Sequence, residues 1–411
     1  MSGIAGLRGT GDWGADERPK SFRESILFFS PNGDAPLFAL TGKAGKKTVK
    51  DPEYSWWAES QSIVRLQVNG ALGAADTLVT IDSADPTDTT MGALYGKASH
   101  LKPGDLLLVE PTADNATFDH EVIQVDTVLG DTQFTARRGV GGTTPATIAN
   151  DVFLLLIGSA FAEGTAAPRA VTRNPTKFSN YTQIFKDTYE LTATTNVTET
   201  RTGNAWSNDK KRKMFDHSRA IEMAMLWGWK YETTGDNGKP LRFMGGIRSQ
   251  IPATNTTVFS SATTAATFLD AIQPAWNFDM GGGDTKIGFC GNTARIEMGK
   301  VIQATTGIRM ELGNTIKMWG INFQEFIMPQ GRLLLKSHPL LSRHPIYAKS
   351  LWVLDFAAIK YVTLPGRDTK TKDDVQQDDE DVRRGFIQTE CGIMVDGGGL
   401  SQAYVGNIHA T

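Results

Sequence analysis

The sequence predicts an α+β protein made of an N-terminal arm, a strand-rich module and one long helix set among further strands. Three observations predict it. Short apolar runs separated by turn formers fill residues 62–160, a helical period runs from Ser207 to Tyr231, and strand patterns return between Lys286 and Glu390.

With 40% apolar and 21% charged residues, the 411-residue chain can bury a real core and is too balanced to be disordered. Its net charge of -3 lacks the basic excess of a specific duplex binder, while non-specific contact with packed nucleic acid needs none. Cys290 and Cys391 fit no close metal spacing and no disulfide framework, so both read as reduced core residues. The start, Met1-Ser2-Gly3-Ile4, lacks the basic-then-apolar pattern of a secretory signal. The longest apolar stretch, Val152 to Ile157, is far short of a bilayer span. The expectation is a soluble protein made in a cytoplasm, with no membrane contact.

Taken in order, residues 1–55 are glycine-rich, aperiodic and sprinkled with Lys43, Lys46, Lys47 and Lys50. They read as an extended arm, flexible alone and ordered by a partner. The lysines suit nucleic acid, an acidic neighbour or plain solubility. Ile26-Leu27-Phe28-Phe29 and Pro36-Leu37-Phe38 are too apolar to stay wet, and Trp56-Trp57 opens something packed. Strand runs follow at Ile63–Val68, Leu78–Ile81, Leu106–Val109, Glu121–Val125, Gln133–Ala136 and Val152–Leu156. Asn69-Gly70, Lys102-Pro103-Gly104-Asp105 and Gly139-Val140-Gly141-Gly142 are among the turns between them, which suggests a small barrel or sandwich with its own core.

Residues 176–203 alternate as strands with one wet face. Ser207 then offers an N-cap for a helix about 36 Å long at the α-helical rise. Its apolar face carries Met214, Ser218, Ile221, Met225, Gly228 and Trp229; Lys210, Lys211, Arg212, Lys213, Arg219 and Glu222 lie mostly elsewhere. A second helix from Thr264 to Phe278, a strand Lys286–Cys290 and a third helix capped by Asn292 follow. Further strand runs include Phe323–Ile327, Arg332–Leu335, Ser350–Asp355, Ile359–Val362 and Phe386–Glu390, interrupted by the charged stretch Lys370 to Arg384.

Motifs that carry chemistry are missing. The sequence has no phosphate loop, since Gly238-Lys239 runs into Pro240, and no H-E-x-x-H or G-x-S-x-G. His338 and His344 read as loop residues and His217 as a packing or surface residue. Asp378-Asp379-Glu380-Asp381 lacks EF-hand spacing and reads as a solvated loop facing Arg383-Arg384 or a neighbouring subunit. No enzyme, cofactor or metal is expected.

From Lys102 to Gly203 the chain carries L-K-P-G-D-L-L-L-V-E-P, R-R-G-V-G-G-T-T-P-A, I-G-S-A-F-A-E-G-T and N-Y-T-Q-I-F-K-D-T-Y, in that order. G-G-I-R-S-Q-I at Gly245–Ile251, L-P-G-R-D-T at Leu364–Thr369 and G-F-I-Q-T-E-C-G-I at Gly385–Ile393 follow. Together these resemble the major capsid proteins of tailed bacteriophages, in the group with an N-Y-T-Q-I-F-like motif.

The resemblance implies the Hong Kong 97 phage major capsid fold. Residues 1–55 would be the N-terminal arm, and 56–203 the extended-loop region with a β-rich module inserted at about 70–160. Residues 204–249 would give the spine helix and peripheral domain, 250–345 the axial domain, and 346–411 strands returning to the peripheral domain. It implies hexamers and pentamers of an icosahedral head around double-stranded DNA, contacted non-specifically. Assembly would take place in the bacterial host cytoplasm and end in the virion. Implied partners are other copies of the chain, a portal protein, a scaffold and a decoration protein. The arm is too short for a fused scaffolding domain.

Phe28, Phe29, Leu37, Phe38, Trp56 and Trp57 are the candidate inter-subunit contacts. Deleting residues 1–50 is expected to leave a folded subunit that forms no stable shells. The competing readings are a secreted or surface β-rich carbohydrate-binding protein, a hydrolase with an unrecognised site, and a bacterial nanocompartment shell protein of the same fold.

Overall fold

The computed structural model describes residue 37 and segments 45–59, 65–82, 97–110, 121–168, 170, 175–198, 203–304, 311–318 and 321–410. The architecture is α+β. One sheet has the strand order Lys46–Thr48, Ile359–Thr363, Val382–Val395, Gln183–Thr192, with Lys370–Lys372 also paired to Val382–Val395. A seven-stranded sheet has the order Thr256–Val258, Ala403–Gly406, Leu351–Leu354, Thr285–Cys290, Gly331–Ser337, Ile321–Met328, Glu311–Met318.

Alternation along these strands sorts their side chains to two faces. Ile287, Phe289, Leu334, Trp352 and Leu354 join the long helix in the main core. Leu333, Leu335, Leu351, Val353 and Val405 face the helices Ala265–Ile272 and Asn292–Ala304. Covered on both sides, Leu351-Trp352-Val353-Leu354 is apolar without a break, as a doubly buried strand must be.

The long helix spans Ala205–Trp227, and its cap comes three residues earlier than the Ser207 that the sequence suggested. Its cap is Asn204, whose side chain accepts a hydrogen bond from the Ser207 N–H at 3.0 Å. Asn and Ser cap almost equally well. Packing chooses between them, because Trp206 meets Tyr189 edge-on at 4.8 Å between ring centres. The buried face is also rotated from the expected one: His217, Glu222 and Leu226 are buried with Ile221 and Met225, while Met214 and Trp229 are exposed. The sequence left His217 as a packing or surface residue and put Glu222 off the apolar face; polar partners bury both. The helix stops at Gly228 because the chain doubles back against it. A Cβ on Gly246 would lie 2.6 Å from the Gly228 nitrogen.

The strand-rich module is a closed barrel. Its order is Arg65–Gln67, Phe153–Ser159, Asp105–Val109, Val122–Val128, Gln133–Val140, Leu78–Thr80. The first and last strands meet through a bridge between Val68 and Ile81, flanked by Asn69 N–H to Thr80 O and Asp82 N–H to Gln67 O, both 2.9 Å. Closure leaves this sheet no free edge. Its interior (Leu66, Val79, Leu107, Ile123, Phe134 and Leu154 among others) shares no residue with the other cores. Phe134 is wholly buried there, so Phe134→Ala is expected to destabilise the barrel by about 3–5 kcal/mol in urea unfolding.

An Arg138 clamp ties the barrel's loops. The guanidinium donates to Glu121 at 2.6 and 2.7 Å and to the carbonyls of Gly73 and Ala146 at 2.8 and 2.6 Å. Burial pushes the Glu121 carboxyl up, but Arg138 and the N–H groups of Ala146 and Gly139 outweigh it and hold it below its ordinary 4.5. A carboxyl held low in the folded state stabilises above its unfolded value and loses that contribution as pH falls through the folded value. Barrel unfolding is therefore expected to become easier as pH falls below the ordinary carboxyl value and through the lower folded one, and Glu121→Gln to flatten that dependence in a pH series of melts.

Three further expectations meet the structure here. The strands of residues 346–411 divide between two sheets: Leu351–Leu354 and Ala403–Gly406 join the seven-stranded sheet, whereas Ile359–Thr363 and Val382–Val395 join the other. The end of the arm is not loose, because Leu37 is fully buried in the main core and Lys46–Thr48 pairs in parallel with Tyr361–Thr363. Cys290 and Cys391 are free and buried, and burial pushes both thiols up to about 12. No helix among the described residues is long and apolar enough to cross a membrane.

Candidate assembly surface

Three of the motifs singled out in the sequence meet at one buried asparagine. Asn180 lies in the strand Thr176–Tyr181, which pairs antiparallel with Glu53–Ala58 as a two-stranded ribbon. Its amide donates to the carbonyls of Gly245 and Ile393, both at 2.8 Å. Its carbonyl accepts from the N–H groups of Gly245 at 2.7 Å and Tyr181 at 2.8 Å. Every hydrogen-bonding site of the side chain is filled. Gln183 accepts from the Met244 N–H at 3.0 Å, and Gln250 donates to Gly245 O at 3.0 Å. Glu390 accepts from the Thr182 hydroxyl at 3.1 Å and pairs with Arg367 of the L-P-G-R-D-T segment. These motif residues lock distant chain segments together.

A second polar clasp holds the N-terminal segment. The Glu222 carboxyl, 0% exposed, accepts from the Leu37 N–H at 2.9 Å and shares a hydrogen bond with His338 Nε2 at 2.6 Å. His338 sits in the turn between the strand Gly331–Ser337 and the helix Pro339–Arg343, a connecting position as expected, but it is equally buried. One side chain of the long helix thus joins the seven-stranded sheet to residue 37. Five residues earlier, His217 bonds Asp187 at 2.6 Å and Thr389 at 2.8 Å, fixing the helix to two strands of the other sheet. His344 accepts from the N–H groups of Ile346 and Tyr347, both at 3.2 Å. No cluster of three or more His, Cys, Asp and Glu side chains that could hold a metal occurs among the described residues. Glu380 of the acidic run reaches Arg384 at 3.1 Å.

The candidate contact residues separate. Phe28, Phe29 and Phe38 lie outside the described residues. Leu37 sits inside the chain's own core. Trp56 packs with Tyr54, Val362 and Met394, and stacks on Phe178 at 6.1 Å between ring centres. Trp57, on the opposite face of the ribbon, is 62% exposed beside Lys177. Lys46 pairs with Asp368 and so contributes inside the subunit.

Sequence reasoning missed the most exposed aromatic region. Beyond the helix end, Tyr231–Thr234 and Pro240–Phe243 form a hairpin. Trp229 is 75% exposed, and Tyr231, Leu241 and Phe243 are exposed with it. Extending the helix to Tyr231 hid this hairpin. The available signal was strand alternation on both sides of Gly235-Asp236-Asn237-Gly238.

A body locked by buried polar clasps that holds aromatic side chains out in water has the surface of a protein that meets other proteins. The model of the SU10 major capsid protein family matches residues 7–397, and the chain belongs to that family. It is 26% identical over 383 residues to a major capsid protein of Pseudomonas phage PaMx41, covering 90% of this chain and 85% of that protein. A solved structure of Microbacterium phage Oxtober96 aligns at 11% identity and TM-score 0.44, over 96% of each chain. A capsid structure of cyanophage A-1(L) aligns at 9% identity and TM-score 0.43, over 97% of this chain and 98% of that one. The function is that of a phage major capsid protein, a structural component of the virion.

Proposed function

We propose that the chain builds an icosahedral head as hexamers and pentamers in a Hong Kong 97-type arrangement enclosing double-stranded DNA. The observation that supports this most is the ribbon Glu53–Ala58/Thr176–Tyr181, which interrupts the body to carry a barrel with its own core between its two strands. A barrel that folds on its own core needs no such tether for stability. A tether of this kind suits an extended loop reaching toward neighbours. Residues before Leu37 act as the arm, with Phe28 and Phe29 as anchors. Trp57 is the ribbon's outward contact.

Other copies of the chain are the main partners, with a portal protein, a scaffold and a decoration protein at the shell. DNA contact is non-specific and weak, as a net charge of -3 offers no general attraction to phosphate. Assembly takes place in the bacterial cytoplasm. Electron microscopy of the purified full-length protein tests the reading. Capsomer rings or closed icosahedral particles are expected; a monodisperse monomer with sugar affinity or turnover would sink it.

A further inference from the structure

We propose that the hairpin Tyr231–Phe243 is an inter-subunit contact, its apolar face covered by a second copy of this chain. The inference rests on the shell reading above and names a contact within it.

Pairing register puts Tyr231 opposite Phe243 and Thr233 opposite Leu241, so these four side chains share one face. The Tyr231 and Phe243 rings lie 6.2 Å apart. The other face carries the Glu232–Arg242 ion pair at 2.8 Å. The hairpin is therefore amphipathic, yet its apolar face meets water: Tyr231 is 57%, Leu241 46% and Phe243 37% exposed. A two-stranded hairpin is marginal in water unless an apolar face is packed. Scattered single apolar residues need no explanation, but three share one face here, and Trp229, two residues upstream, adds a further exposed ring.

The size of the patch argues for a second copy as occupant. With Trp229, the exposed apolar area is on the order of 400 Å² at the usual size of such side chains. That is roughly half of the ~800 Å² per partner in a stable pairwise interface. One such contact is weak by itself and becomes effective when each subunit repeats it within a closed assembly, where many partial interfaces act together. Tyr and Trp are also the side chains that dominate interface energies. The hairpin is held at a fixed angle by the contact of Gly228 with Gly246 and by Lys230 Nζ donating to the Ser179 hydroxyl at 2.6 Å. A rigid projection loses little entropy on docking.

Hydrogen exchange on the full-length protein tests this, comparing unassembled subunits with assembled particles separated by sedimentation. Amides of residues 231–243 should exchange about tenfold more slowly in the particles. A second arm uses Tyr231→Ser combined with Phe243→Ser. Both side chains already touch water, so the thermal transition should stay near that of the wild type while the assembled fraction drops about tenfold. Particles whose hairpin amides remain unprotected overturn the proposal alone. Wild-type assembly matched by the double variant overturns it equally. A wild-type chain that stays monomeric at every concentration overturns both the contact and the shell reading. Should the double variant fail to fold, the exchange comparison on the wild type decides.

Discussion

Replacing Glu222 by alanine is expected to destabilise the subunit by about 3–5 kcal/mol, the range for breaking a buried polar pair on one side. The carboxylate is wholly buried and serves both His338 and the Leu37 N–H. Alanine strands both donors where water does not reach, and it leaves a cavity between the helix and the seven-stranded sheet. Glu222→Gln keeps an amide oxygen that can accept both bonds, so its loss should be clearly smaller. Urea unfolding of both variants checks this. Equal losses for alanine and glutamine would mean that the carboxylate charge, which both variants lack, holds the clasp, and that neither the filled volume nor a neutral acceptor oxygen is enough.

Truncation of the N-terminal segment should divide sharply at Leu37. Removing residues 1–30 is expected to leave subunit stability unchanged while abolishing stable shells. Removing residues 1–50 also takes Leu37 from the main core and the strand Lys46–Thr48 from its sheet. Loss of a buried leucine alone is worth about 2–5 kcal/mol. It also takes Lys46 from Asp368, whose carboxyl is pushed up by burial but held below its ordinary range by that lysine. The longer truncation should therefore melt earlier or fail to fold, contrary to what the sequence suggested for residues 1–50. A pair of thermal melts with electron microscopy of each product distinguishes the two effects. Identical melting of both truncations would show that Leu37 is dispensable.

These two expectations depend on contacts between residues far apart in the chain, and that marks where sequence reading failed. Glu222 looked like a surface residue because hydropathy scores a side chain alone, without the partner that makes its burial tolerable. Trp229 and Tyr231 were assigned to the helix because its period continues past Gly228. The stop comes from Gly246, eighteen residues on, which needs the room a side chain would take. Leu37 and Trp56 were expected at interfaces because an apolar residue in an aperiodic segment announces that it is buried but not by what.

The sequence by itself determined the element types: six strand runs before residue 160, a long helix after residue 203 and apolar strands beyond residue 285. Each follows from local periodicity, a property of neighbouring residues. It also determined the family resemblance, through motifs whose order along the chain is informative. Only the tertiary structure decided that the barrel closes, because closure rests on Val68 meeting Ile81 across the module. Only it decided that Asn180, Gly245 and Ile393 form one lock, and that the C-terminal strands divide between two sheets. Hydrogen-bond partners and burial are set by proximity in space, and a linear pattern carries the period of a segment but not the identity of what covers it.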